Sequence, residues 1–131
     1  VCAREAVNRM ALSKGGKGGV IVNLSSAAAA LGGGDMYIDY AAAKGAIDVM
    51  TIGLGREVAS EGIRVNAVRP GLIDTEIHAD SGVADRAKVL GATVPMKRPG
   101  TAEEVAEAIV WLLSDAASYT TSTILNVTGG R

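Results

Sequence analysis

The chain has 131 residues, with 13 Lys and Arg against 14 Asp and Glu, 17 glycines, 3% aromatic residues and one cysteine. A charge balance this even excludes the basic surface that a nucleic-acid partner requires, and no run of about 18 apolar residues reads as a membrane span. One cysteine closes no internal disulfide, which suits a reducing cytoplasm, and the abundance of alanine and glycine implies elements packed closely through small side chains.

Residues 1 to about 13 read as a helix already in progress. Val1-Cys2-Ala3-Arg4-Glu5-Ala6-Val7 has no N-cap before it and does not begin with methionine, so the chain is expected to be cut from a longer one. Cys2 reads as a free structural thiol rather than a nucleophile. Lys14-Gly15-Gly16-Lys17-Gly18-Gly19 ends the helix as a flexible turn, and Val20-Ile21-Val22-Asn23-Leu24-Ser25 reads as a strand buried on both faces. After the Gly32-Gly33-Gly34 loop a long helix is expected from about residue 37 to about 61, with Ala43, Ile47, Met50, Leu54 and Val58 as its apolar stripe. Gly62 stops it, and Ile63-Arg64-Val65-Asn66-Ala67-Val68 is a second strand, broken at Pro70-Gly71.

Residues 72–99 are the least regular, with a short helix expected over 83–90; a segment of this kind often covers a site. Thr101-Ala102-Glu103-Glu104 is a capping box opening a helix that carries Val105, Ala108, Ile109, Leu112 and Leu113 inward, with Trp111 as core. Ile124-Leu125-Asn126-Val127 reads as the last strand, ended by Gly129-Gly130. Strands alternating with amphipathic helices are the order of crossover units, so the expected fold class is α/β, a doubly wound parallel sheet with helices on both faces.

Chemistry concentrates at Tyr40 and Lys44. A phenol ordinarily loses its proton only near pH ~10, but an ammonium four residues along the same helix face favours the phenolate, so the two together could act as a general acid/base. Tyr37 and Tyr119 have Ala41 and Thr123 at that spacing, so only Tyr40 is paired, and it follows a strand that ends in the hydroxyls of Ser25 and Ser26. The lone His78 has no carboxylate or cysteine set at metal-ligand spacing and reads as a surface residue. Met36, Met50 and Met96 read as packing residues, Asn66 as a side chain satisfying local backbone, and Glu103, Glu104 and Glu107 as a helix N-terminal face.

Val22-Asn23-Leu24-Ser25-Ser26, Tyr40-Ala41-Ala42-Ala43-Lys44-Gly45, the run from Ile63 through Asn66 to Arg69-Pro70-Gly71, Trp111-Leu112-Leu113-Ser114 and Gly129-Gly130 together resemble the short-chain dehydrogenase/reductases. The resemblance spans the whole chain and corresponds to the C-terminal half of a family member. It implies a Rossmann-type doubly wound sheet and an enzyme that interconverts a secondary alcohol and a ketone by hydride transfer with NAD or NADP. Tyr40 then exchanges the proton with the substrate oxygen, and Lys44 hydrogen-bonds the nicotinamide ribose. Ser26, chosen over Ser25, hydrogen-bonds the substrate; it lies fourteen residues before Tyr40 where many members have thirteen, so the loop is one residue longer. Pro70, Gly71, Ile73 and Thr75 join Tyr40 and Lys44 at the cofactor, Ile73 through its backbone and Thr75 through its hydroxyl.

The same resemblance makes residues 1–131 the C-terminal part of a single NAD(P)-binding domain. The Gly-x-Gly-x-x-Gly loop, the residue that selects between the two dinucleotides and the asparagine of the catalytic tetrad then belong upstream of Val1. Expected partners are a small-molecule alcohol or carbonyl substrate and further copies of the chain, as a homodimer or homotetramer in which Ala42, Ala46, Gly53 and Gly55 permit close approach. Tyr37-Ile38-Asp39-Tyr40 and Ser118-Tyr119-Thr120-Thr121 are similar to bacterial sugar dehydrogenase-like and 3-oxoacyl reductase-like members. The alternative is a non-catalytic fragment or partner-binding module that cannot hold a dinucleotide alone.

Overall fold

The computed structural model describes residues 2–75 and 90–131. Three strands, β1 (Gly19–Leu24), β2 (Ile63–Pro70) and β3 (Ile124–Val127), form a parallel sheet in the order β1-β2-β3. Gly19 stands opposite Ile63 and Leu24 opposite Val68, and Ala67 to Pro70 run beside Ile124 to Val127. The α-helices whose bounds fall within the described residues are α1 (Cys2–Met10), α2 (Ala28–Leu31), α3 (Ile38–Glu57) and α4 (Ala102–Leu113).

Alternation along β2 divides the core in two, because successive strand residues point to opposite faces. Ile63 and Val65 pack with Ala11 and Val58, flanked by Val7, Met10, Ile21 and Leu54, so α1 and α3 cover that face. Val68 packs with Val105 and Leu112, flanked by Val22, Ala108, Ile109, Leu125 and Val127, so α4 covers the other. The chain therefore has the expected α/β architecture, a parallel sheet with helices on both faces. The strand buried on both sides is β2, where Val65, Asn66, Ala67 and Val68 are all 0% exposed. β1, expected to be buried on both faces, is part-buried in this chain, where it pairs with β2 on one side.

The long helix begins at Ile38, and a 3-10 turn over Ala59–Glu61 replaces its expected last turn. Its orientation differs from the expected apolar stripe. Ala43 and Met50 are exposed, and the buried residues are Ala41, Asp48, Thr51 and Gly55. Leu54 and Val58 pack in the core as the stripe predicts, whereas from Ala41 to Thr51 the face toward the sheet is turned by about 100°, one residue's rotation. Directional bonds account for this: Asn23 Nδ2 donates to Thr51 Oγ1 at 2.9 Å, and Arg69 donates to Asp48. Gly55, expected at a subunit contact, instead faces the interior. A Cβ there would lie 2.5 Å from Ser122 Oγ and 3.0 Å from the Val65 carbonyl oxygen, so only glycine lets the helix approach this closely.

Helix α4 opens on the expected capping box: Thr101 Oγ1 accepts from the Glu104 N–H at 3.3 Å, and Glu104 Oε2 accepts from the Thr101 N–H at 2.9 Å. Its buried line runs through Val105 and Leu112. Trp111 and Leu113, expected inside, are 43% and 46% exposed, because each stands about 100° round the helix from Leu112. The helix expected over 83–90 falls almost wholly outside the described residues, and His78 lies outside them. Among the described residues no helix is long and apolar enough to cross a membrane.

Arg98 grips Glu104 from outside the helix, Nη2 to Oε1 at 2.6 Å and Nη1 to Oε2 at 2.8 Å. This pairing, helped by the Thr101 N–H, holds the Glu104 carboxyl down to about 2. A carboxyl depressed below its unfolded value of about 4.3 adds stability above that value and loses it as pH falls toward the folded one. Because the pair is exposed and screened by solvent, Glu104→Gln is expected to melt only slightly below the parent at neutral pH, with the gap closing between pH about 4.3 and about 2. Thermal melts followed by circular dichroism across that range check it, and a gap that does not change with pH would contradict it.

Candidate active site

Parallel strands bring their C-terminal ends to one edge of the sheet, and the chain leaving β1 stays laced to β2 beyond the strand itself. The Ser25 N–H donates to the Val68 carbonyl and the Ala27 N–H to the Pro70 carbonyl, both at 2.9 Å, which holds Ser26 between two anchored neighbours. Ser26 Oγ accepts from the Ala28 N–H at 3.2 Å, capping α2, and its own O–H proton remains available to donate. Ser25 is buried, and its hydroxyl donates to the Lys44 carbonyl at 3.3 Å. Both serines line the cleft, but their hydroxyls differ: that of Ser25 ties the end of β1 to α3, and that of Ser26 accepts from the start of α2.

Helix α3 starts against a glycine. Gly33 has φ +60°, its carbonyl accepts from the Met36 and Tyr37 N–H groups, and a Cβ on it would lie 2.3 Å from the Tyr37 ring. With Tyr37 seated there, its ring meets that of Tyr40 edge-on, centroids 6.1 Å apart at 86°. Tyr40 is 46% exposed, so its hydroxyl is open to a ligand. One turn on, Lys44 Nζ donates to the Leu24 carbonyl at 2.8 Å and lies 5.7 Å from the Tyr40 ring centroid. The cation is held by the end of β1, beside the phenol.

The opposite wall comes from the exit of β2. Ile73 forms an isolated parallel bridge with Gly100, in which the Gly100 N–H donates to the Leu72 carbonyl at 2.9 Å and the Asp74 N–H to the Gly100 carbonyl at 2.8 Å. That pattern leaves the N–H and carbonyl of Ile73 itself out of the bridge. A cleft of about 910 Å³ opens between the walls, lined by Ser26, Tyr40, Lys44, Pro70, Gly71, Ile73 and Thr75. Every site residue expected from the sequence is on it.

The cleft also takes in residues not expected at the site: Leu31 and Met36, and Val105 and Ile109 of α4, which were expected only to face inward. Met36, read as packing, is 65% exposed on this rim. Asn66 behaves as expected, donating from Nδ2 to the Thr120 carbonyl at 2.8 Å and accepting the Thr123 N–H at 3.1 Å. A larger omission is Asp48, whose Oδ2 accepts from Arg69 Nε at 2.9 Å and Nη2 at 2.7 Å. A carboxylate four residues after Lys44 and an arginine next to Pro70, both within otherwise apolar runs, were the available signal.

The family model described as enoyl-(acyl carrier protein) reductase matches residues 1–131. The uncharacterized oxidoreductase YgfF of Escherichia coli strain K12 is 58% identical over 131 residues, all of this chain and 53% of the relative. The 3-oxoacyl-(acyl-carrier-protein) reductase FabG of Pseudomonas aeruginosa is 42% identical over 112 residues, 86% of this chain and 44% of the relative. A crystal structure of a short-chain dehydrogenase/reductase, a glucose/ribitol dehydrogenase from Brucella melitensis, superposes with a TM-score of 0.76 at 39% identity, over 85% of this chain and 44% of that one. The chain spans about half the length of the curated relatives it matches.

Proposed function

Because this chain belongs to the short-chain dehydrogenase/reductase family, we propose that it carries the proton-transfer side of an NAD(P)-dependent oxidoreductase that interconverts a secondary alcohol and a ketone. The observation that carries this reading is the shared cleft: a half-exposed phenol, an ammonium anchored beside it and a strand-end hydroxyl all line one hollow at the C-terminal edge of a parallel sheet. Tyr40 is the general acid/base, giving its proton to the carbonyl oxygen in reduction and taking it back in oxidation. Lys44, fixed by the Leu24 carbonyl, sets a positive charge where negative charge develops on the Tyr40 oxygen. Ser26 donates a hydrogen bond to the same substrate oxygen.

The other wall fits a nicotinamide. Pro70 and Gly71 form its floor, Ile73 has peptide groups that its bridge does not use, and Thr75 adds a hydroxyl at the rim. When bound, NAD or NADP supplies or accepts the hydride. In this reading residues 1–131 are the C-terminal part of one Rossmann-type domain in a cytoplasmic enzyme, whose phosphate-binding glycine loop lies upstream. The exposed side of α3, with Ala42, Ala46, Val49 and Gly53, packs against a second copy in a homodimer or homotetramer. The reductase and dehydrogenase names of the relatives favour a small carbonyl or alcohol substrate of the sugar or 3-oxoacyl kind.

The intact protein, titrated with NADH and NADPH by nicotinamide fluorescence, is expected to bind at least one of them saturably. It is also expected to turn over members of a panel of ketones and secondary alcohols. Saturable binding with turnover confined to an enoyl thioester would replace this reading with reduction of a carbon–carbon double bond, and no binding would remove it.

A further inference from the structure

We propose that Asp48 and Arg69 are positioning residues for the reaction assigned above, an inference that rests on that assignment: their buried ion pair sets the spacing between the wall that carries Tyr40 and Lys44 and the wall formed by Pro70-Gly71. Asp48 lies one turn after Lys44 on the sheet-facing side of α3, and Arg69 is the residue of β2 immediately before Pro70. The two side chains are 7% and 22% exposed. Both donors reach a single carboxylate oxygen, Oδ2, while Oδ1 is buried with no partner among the described residues.

The interface around the pair explains why directional bonds control the geometry. Around the pair, the side of α3 against the sheet is built from Ala41, Lys44, Asp48, Thr51 and Gly55, and the large apolar side chains that pack, Leu54 and Val58, lie only at the helix's far end. Small residues permit close approach but let the helix slide and rotate, whereas a charged hydrogen bond fixes both distance and direction. Lys44 and Thr51 tie the helix to β1, through the Leu24 carbonyl and Asn23. Among the described residues, Asp48 to Arg69 is the side-chain link from α3 to β2, and β2 is the strand that runs on into the cofactor-side wall. The link thus joins the two halves of the cleft.

Net stability is not its main product. A buried ion pair can be replaced by packed apolar side chains with little or no loss, whereas removing one partner strands a charge out of water. That difference separates positioning from structure. In the intact protein, Arg69→Met alone is expected to lower the thermal midpoint, and the double variant Asp48→Leu/Arg69→Met to recover most of it. Turnover is not expected to recover with it. The double variant should keep kcat about 10- to 100-fold below the parent with little change in KM, since a displacement of the order of an ångström at a reacting centre costs that much. Asp48→Glu, which keeps the pair but lengthens it by one methylene, should fold normally and still lower kcat about tenfold.

Tyr40→Phe, assayed alongside, tells the two levels apart. If it loses turnover while the double variant and Asp48→Glu both stay within about threefold of parental kcat, the positioning inference is overturned and the assigned activity stands. If Tyr40→Phe turns over normally, the assigned activity is what fails, and the positioning role fails with it.

Discussion

Replacing Tyr40 with phenylalanine in the intact protein is expected to lower kcat by about 10³-fold, the middle of the range for loss of a general acid/base, while leaving NADH or NADPH affinity nearly unchanged. The substitution removes one oxygen and little else. The ring keeps its edge-on contact with Tyr37 and its place beside the Lys44 ammonium, because both involve the ring rather than the hydroxyl. Tyr40 is half-exposed, so no buried partner is stranded and stability should move by no more than about 0.5 kcal/mol. Steady-state kinetics with a ketone that the parent reduces, together with a thermal melt, check both halves. A variant retaining a tenth or more of parental kcat would remove Tyr40 from the proton-transfer role.

The second large effect is structural. Asn66→Ala is expected to cost about 3 kcal/mol of folding stability, because two backbone groups and a cavity are left behind in the centre of the sheet. Asn66 is 0% exposed, and its amide holds the Thr120 carbonyl and the Thr123 N–H. The segment they belong to is laced along β2: Val65 N–H to Thr121 Oγ1, Ser122 N–H to the Val65 carbonyl, and Ala67 N–H to the Thr123 carbonyl. Arg64 adds bonds to the carbonyls of Leu112, Ser114 and Thr120. Losing Asn66 therefore loosens the entry to β3 as well as its own site. Denaturant titration of the intact protein measures the loss, and a change below about 1 kcal/mol would show that the neighbouring bonds suffice without it.

The pairing of Tyr40 with Lys44 was legible because it is local in sequence. An interval of four residues places Tyr40 and Lys44 on one helix face whatever that helix packs against. Pro70-Gly71 ends a strand by its own backbone restrictions, and Thr101 with Glu104 caps a helix by reach alone. Ser26 was harder, because two adjacent hydroxyls stand at the end of β1. Their hydrogen bonds separate them only in the fold, where the Ser25 hydroxyl donates to the Lys44 carbonyl and Ser26 Oγ accepts from the Ala28 N–H.

From the sequence alone came the alternation of strands and helices, the α/β class, the capping box and the Tyr40–Lys44 pairing, since each depends on periodicity or turn chemistry within a few positions, whereas Ser26, Pro70, Gly71, Ile73 and Thr75 came from the family resemblance. Only the tertiary structure decided which side of α3 faces the sheet around Asp48, that Trp111 and Leu113 are exposed, and that Asp48 is held by Arg69. The apolar stripe on α3 held at Leu54 and Val58 but misled at Ala43 and Met50, because counting hydrophobic residues gives the spacing of a face but not the partners waiting for it. Here those partners are Asn23, Arg69 and the Leu24 carbonyl, distant along the chain, and hydrogen bonds to buried groups outweighed a few methylenes left in water.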